Sequence, residues 1–177
     1  MTDNSAYGKA LFLAAAESGV IDEVYRQLAA VDTVIREQPD YVKLLDTPAL
    51  SRQQKHELID RAFGGFELLV TNLIKMLGDR GVFFAFEKVV KAYGIMYDEY
   101  YNIERAEAVT ARPLTEAQSR ALVQKLEEMT GKRVVLSNTI DPYILGGIAV
   151  RYSGKQLDGS LRRRLDELEA GLKNTVI

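Results

Sequence analysis

The sequence predicts a mainly α protein in two parts, a six-helix bundle over residues 1–103 and a small α+β domain over 104–177. Two observations carry this. Over the first hundred residues, apolar side chains recur every three or four positions between short breaks, which is the period of packed helices. After Asn102 the period changes, and Val134 to Ser153 (VVLSNTIDPYILGGIAVRYS) holds two runs rich in β-branched residues, separated by Pro142 and Gly146-Gly147. Those runs are too short for helices and suit a pleated sheet.

In chain order, Ser5 to Ser18 is dense in apolar residues and ends at Gly19, a helix stop. Ile21, Val24, Leu28, Val31 and Ile35 stripe a second helix, Ile21 to Gln38, which Pro39 closes. A short third helix spans Tyr41 to Leu45. Ser51 and Gln54 form a capping box that opens a fourth, running to Phe63 and Gly64-Gly65. Glu67 to Leu77 is the fifth, stopped by Gly78, and Val82 to Tyr100 is expected to be the sixth and longest.

Beyond Asn102, Glu104 to Ala111 alternates polar and apolar residues, as an exposed or edge strand does, and ends before Pro113. Thr115 and Gln118 repeat the capping box for a helix that stops at Gly131. Val134 to Leu136 and Ile148 to Tyr152 supply two more strands. Ser160 then caps a final helix striped by Leu161, Leu165, Leu168 and Leu172.

Composition narrows function. The chain has 177 residues, 47% of them hydrophobic, which suits one or two globular domains. Residues 1–103 carry net charge −4 and residues 104–177 carry +2, so nothing demands a polyanionic partner. Cysteine is absent, which excludes disulfides and thiolate metal sites. The longest apolar run, Ala10 to Ala16, is far below the roughly 20 residues of a membrane span, and no basic segment precedes it. A soluble protein without a signal peptide is expected.

No catalytic constellation emerges. The one histidine, His56, lies between Lys55 and Glu57 and reads as solvent-exposed; no EF-hand spacing exists, so no metal or cofactor is expected. Ser153-Gly154-Lys155 lacks the earlier glycine of a phosphate loop, because position 149 is Ala149. Gly146-Gly147 lacks a third glycine at dinucleotide-binding spacing and reads as backbone geometry. Arg162, Arg163 and Arg164 start a helix, where cations oppose the helix dipole; they read as a solvated face, with an acidic partner the alternative. Tyr93, Tyr97, Tyr100 and Tyr101 read as packing. The first and fifth helices, however, are apolar almost all round. Either both are central, or they flank a surface groove able to receive an amphipathic helix.

A family resemblance joins these observations. Ile140-Asp141, Ile144, Gly146-Gly147-Ile148, Val150-Arg151 and Asp158-Gly159-Ser160-Leu161, followed by the arginine-rich helix, resemble the delta subunit of F-type ATP synthases. The mitochondrial counterpart of that family is the oligomycin-sensitivity-conferring protein. Tyr7-Gly8-Lys9-Ala10-Leu11 resembles its first helix and Asn72-Leu73-Ile74-Lys75-Met76 its fifth.

The resemblance implies a non-catalytic stator subunit. Its N-terminal domain would bind the catalytic head through the N-terminal helix of an alpha subunit, and its C-terminal domain the C-terminal region of the b-subunit stalk. Carried over by position, Tyr7, Leu11, Ala14, Asn72, Leu73 and Met76 become groove residues, and Arg162 to Arg164 stalk contacts. Many members carry alanine where this chain has Gly8, which alone weakens a helix by about 1 kcal/mol. Leu73→Asp or Met76→Glu is expected to weaken binding of the alpha subunit while leaving folding intact.

The expected location is the cytoplasmic face of a bacterial plasma membrane, peripheral and through the complex, with neither nucleic acid nor a small-molecule substrate bound. The bare N-terminus favours a bacterial protein over an organelle precursor. The alternative is a small helical RNA-binding or antitermination-like protein using the triple arginine, which predicts salt-sensitive binding. An enzyme ranks third, since it needs a pocket with convergent polar groups.

Overall fold

The computed structural model describes residues 5–142 and 147–158. They divide into two units at Tyr100–Tyr101. The first holds α1 (Ser5–Glu17), α2 (Ile21–Glu37), α3 (Pro39–Asp46), α4 (Arg52–Phe63), α5 (Leu68–Asp79), a 3₁₀ turn (Phe83–Ala85) and α6 (Phe86–Tyr100). The second holds β1 (Ile103–Thr110), α7 (Glu116–Thr130), β2 (Arg133–Ile140), β3 (Ile148–Tyr152) and β4 (Lys155–Asp158). Arg162 to Arg164 and the expected final helix lie outside the described residues.

Helix α5 is the hub of the first unit. It packs against α1, α2, α3, α4 and the 3₁₀ turn, which accounts for its nearly all-round apolar surface: Val70, Leu73, Ile74 and Leu77 are all buried. Helix α1 packs most extensively on α6. Their backbones come so close that a Cβ built on Gly8 would lie 2.4 Å from the Val89 carbonyl oxygen and 2.7 Å from Ala92 Cβ. Glycine at position 8 thus permits this close approach, in addition to its cost in helix propensity. Phe12 extends the contact, meeting Tyr93 and Tyr100 edge-on at 5.3 and 5.8 Å.

Local chemistry sets several boundaries. Ser51 and Gln54 form the expected capping box on α4, and Thr115 and Gln118 the one on α7. Gly131 closes α7 at φ 67°. The sixth helix is shorter than expected, so α2, with 17 residues, exceeds it. The reason lies in α3. Asp46 accepts hydrogen bonds from the Phe83 and Phe84 amides at 2.7 and 3.1 Å, tightening the entry into a 3₁₀ turn. Gly78 does not stop α5, because the buried Lys55 ammonium donates to its carbonyl at 2.9 Å and the helix runs to Asp79.

The four strands of the second unit lie in the order β2-β1-β3-β4. β1 pairs parallel with β2 and antiparallel with β3. It is thus central, and the reading of an exposed or edge strand is corrected. Its polar residue near the start, Glu104, is buried but satisfied: Ser153 N–H donates at 2.7 Å and Lys132 Nζ lies 3.4 Å away. Burial works against ionisation of Glu104, yet the bonds from Ser153 and Lys132 outweigh it and hold the carboxyl below its usual range. β4 was not expected. Ser153 and Gly154 adopt φ 46° and 70°, a two-residue hairpin turn that folds β4 back on β3. One sheet face packs on α7 around Ala106, Leu126, Val134, Val150 and Tyr152.

Gly8→Ala gains helix propensity but forces α1 off α6, a clash costing about 1–3 kcal/mol net. A lowered urea midpoint is expected, and a variant as stable as the parent would overturn this account of α1.

Candidate functional site

Three and four residues apart, Tyr7, Leu11 and Ala14 share one face of α1, while Asn72 and Met76 sit one turn apart on α5. The two helices touch. Leu11 and Leu73 are only 7% and 5% exposed and belong to the core. Ala14 and Met76 are half-buried and Asn72 is exposed. One turn before Asn72 on α5, Leu68 is 70% exposed, while Leu13, 57% exposed, lies about 160° round α1 from Leu11. Leu73→Asp would thus place a carboxylate in the core and disturb folding, which corrects the expectation that it leaves folding intact. Met76 remains the clean probe.

The open end of α5 is more polar than the sequence suggested. Asn72 and Met76 line a hollow of about 620 Å³ together with Arg52, His56, Lys75 and Asp79. Arg52 Nη2 donates to Asp79 at 2.7 Å, and His56 Nε2 lies 3.0 and 3.1 Å from the two carboxylate oxygens. His56 is therefore half-buried and partnered rather than free in solvent. Lys75 pairs with Asp60 at 2.6 Å. Arg80, just past α5, donates to the Tyr7 hydroxyl and lays its guanidinium 5.7 Å from that ring, tying α1 to the end of α5. No local signal marks Arg80 or Asp79, because their partners lie 73 and 23 residues away.

Hydrogen bonding from Arg52, aided by His56 and opposed by partial burial, holds the Asp79 carboxyl below its ordinary range. In the second unit, an apolar hollow of about 840 Å³ lies among Pro113, Leu114, Leu122 and Ile148. Among the described residues no group of three or more His, Asp or Glu is able to hold a metal ion. The hydrogen bonds of His56, Asp79, Lys55 and Asp46 all join helix ends to neighbouring helices.

The sequence model of the ATP synthase delta (OSCP) subunit family matches residues 4–172. ATP synthase subunit delta of Lactobacillus gasseri is 34% identical over 169 residues, covering 95% of this chain and 93% of its own. The subunit delta of Solidesulfovibrio magneticus is 32% identical over 171 residues, covering 94% and 93%. Among solved structures, a chain of the Toxoplasma gondii mitochondrial ATP synthase hexamer superposes with TM-score 0.71 at 26% identity, covering 97% of this chain and 98% of that one.

Because Asp79 is more acidic folded than unfolded, its stabilisation is full above the unfolded carboxyl pKa, about 3.9, and is lost as pH falls through the folded value. Asp79→Asn is expected to cost about 1 kcal/mol at pH 7, reduced by the exposure of Arg52, and the difference should shrink below about pH 4. Urea midpoints of both proteins across pH 3–7 check this; a difference independent of pH would refute the ion-pair account.

Proposed function

The chain belongs to the ATP synthase delta (OSCP) subunit family, and from that membership we propose that it is a non-catalytic stator subunit of an F-type ATP synthase. Torque on the central stalk drags the catalytic head unless a peripheral link holds it, and this chain is the joint of that link. The observation that carries the reading is the extent of the match, which runs through both units. The relatives named above are ATP synthase subunits, and the RNA-binding alternative has no support among them.

In this reading residues 1–103 form a six-helix bundle that binds the head, and residues 104–177 bind the C-terminal region of the b-subunit stalk, with Arg162 to Arg164 among the contacts. The N-terminal helix of an alpha subunit lies along the α1–α5 seam. Tyr7, Ala14, Asn72 and Met76 contact it, while Leu11 and Leu73 hold the seam from below. Exposed Leu68, one turn before Asn72 on α5, supports an apolar partner face. The protein sits peripherally at the cytoplasmic face of the bacterial membrane through the complex. Among the described residues no helix is long and apolar enough to cross a membrane.

Calorimetric titration of the full chain with a synthetic peptide from the N-terminus of the alpha subunit tests this. Binding with a negative heat-capacity change and little salt dependence is expected. Met76→Glu should weaken it at least tenfold, about 1.4 kcal/mol, without moving the unfolding midpoint. Unchanged affinity would sink the seam as the binding site.

A further inference from the structure

The α1–α6 pair has one filled side and one open side. The two helices run parallel: Gly8 meets Val89 and Tyr93, and Phe12, one turn on, meets Tyr93 and Tyr100. On the filled side, Tyr97 of α6 stacks on Tyr25 of α2 at 4.1 Å and donates to Asp22 at 2.8 Å. Counted from Gly8, Lys9, Leu13 and Ala16 lie about 80–140° one way round α1. Counted from Val89, Lys88, Ile95 and Glu99 lie about 80–120° the other way round α6, and Tyr97 lies opposite them. In parallel helices these opposite turns lead to the same side of the pair, and it is the side away from α2.

Each helix carries the same exposed series at steps of four residues: Lys9, Leu13 and Glu17 on α1, and Lys91, Ile95 and Glu99 on α6. Leu13 and Ile95 are 57% and 52% exposed. Lys88 joins the basic end. None of these five charged residues has an ion pair or side-chain hydrogen bond among the described residues. The other acids of α6 are engaged, Glu87 by Arg36 at 3.4 Å and Asp98 elsewhere. A helix dipole favours acids in the first turn and bases in the last. Yet α1 ends on Glu17, Glu99 lies in the last turn of α6, and neither last turn holds a base. Both acids therefore work against their own helices, and a cation from outside offsets that cost.

We infer that this open side receives an amphipathic helix of another protein of the assembly, an inference that rests on reading the chain as one component of a larger complex. Running parallel to α1 and α6, that helix is acidic in its first turn, against Lys9, Lys88 and Lys91. It is apolar in the middle, over Leu13 and Ile95, and basic in its last turn, against Glu17 and Glu99. This is the charge order that its own dipole favours. Charge balance selects a partner richer in acid than this chain is able to offer. The face has three lysines against two glutamates, so a second copy would bring the same basic excess. Residues 159–177 likewise hold four basic residues against three acidic ones. Residues 1–4 and 143–146 are each too short to span, as a helix, the roughly 12 Å from Lys9 to Glu17. The face is distinct from the α1–α5 seam, because Tyr7 and Ala14 lie about 100–120° the opposite way round α1 from Gly8.

The test is the acetylation rate of each lysine, read by mass spectrometry, in the free full chain and in the assembled ATP synthase. Lys9, Lys88 and Lys91 should react fast in the free chain and at least tenfold more slowly in the complex. Carbodiimide, which joins a lysine to a touching carboxylate, should couple Lys9 or Lys91 to an acidic residue of another subunit. Leu13→Asp with Ile95→Asp changes two exposed side chains, so it should keep the urea midpoint while freeing the lysines or excluding the chain from the complex. Lysines that stay fast in the complex, or stay protected in that double variant, overturn the site while the family reading stands. Lysines already slow in the free chain at every concentration, or coupled to an acid of the same chain, show a self-covered face and overturn it. Slowing that grows with the concentration of the free chain shows a second copy instead and also overturns it. An unaltered chain that fails to enter the complex overturns the functional reading and this inference with it.

Discussion

Helix α1 approaches α6 as closely as it does because position 8 has no side chain. Backbone-to-backbone packing at that point leaves no room for even a methyl group beside the Val89 carbonyl, and everything at the α1–α5 seam inherits its position from it. With Gly8 seated, Phe12 reaches Tyr93 and Tyr100, and Tyr7 arrives beside Arg80 at the end of α5. Close-packed interiors transmit such shifts. The placing of α1 at the seam therefore depends in part on a residue that faces α6, about 60° round the helix from Leu11.

A second set of constraints holds the other side of the seam. The end of α5 is fixed three ways: Lys55 caps its Gly78 carbonyl, Arg52 and His56 grip Asp79, and Asp46 orders the following 3₁₀ turn. Helix ends leave orphan carbonyls that need partners; Lys55 of α4 supplies one for Gly78, while Asp46 of α3 accepts from the amides that open the 3₁₀ turn. These bonds fix the end of α5 to α3 and α4 at several points.

What the sequence made legible was whatever depends on near neighbours. Ser51 with Gln54, Thr115 with Gln118, and Gly131 as a left-handed stop all act within four residues, and each gave a boundary correctly. The misses share a cause. The 3₁₀ turn at Phe83 depends on Asp46, 37 positions earlier, and the partner of His56 is 23 positions later. β1 looked like an edge because Glu104 and Glu107 alternate with apolar residues, yet Glu104 is satisfied by Ser153, 49 positions on. β4 was hidden by its own turn, since Ser153-Gly154 reads equally as loop punctuation or as a hairpin. For the candidate site, periodicity could not separate the buried Leu11 and Leu73 from the accessible Asn72 and Met76.

The two kinds of contact around α5 also differ in how far along the chain they reach. The Lys55–Gly78 clasp joins residues 23 apart, whereas the Arg80–Tyr7 bond joins residues 73 apart. Loop-closure entropy makes the short connection form readily and the long one late. The α4–α5 pair thus closes a short loop at low entropic cost, whereas the tie from α1 to the end of α5 spans most of the unit. The α1–α5 seam is therefore the part of the first unit held by the longest-range tie along the chain, and a loosening anywhere between Tyr7 and Arg80 bears on it.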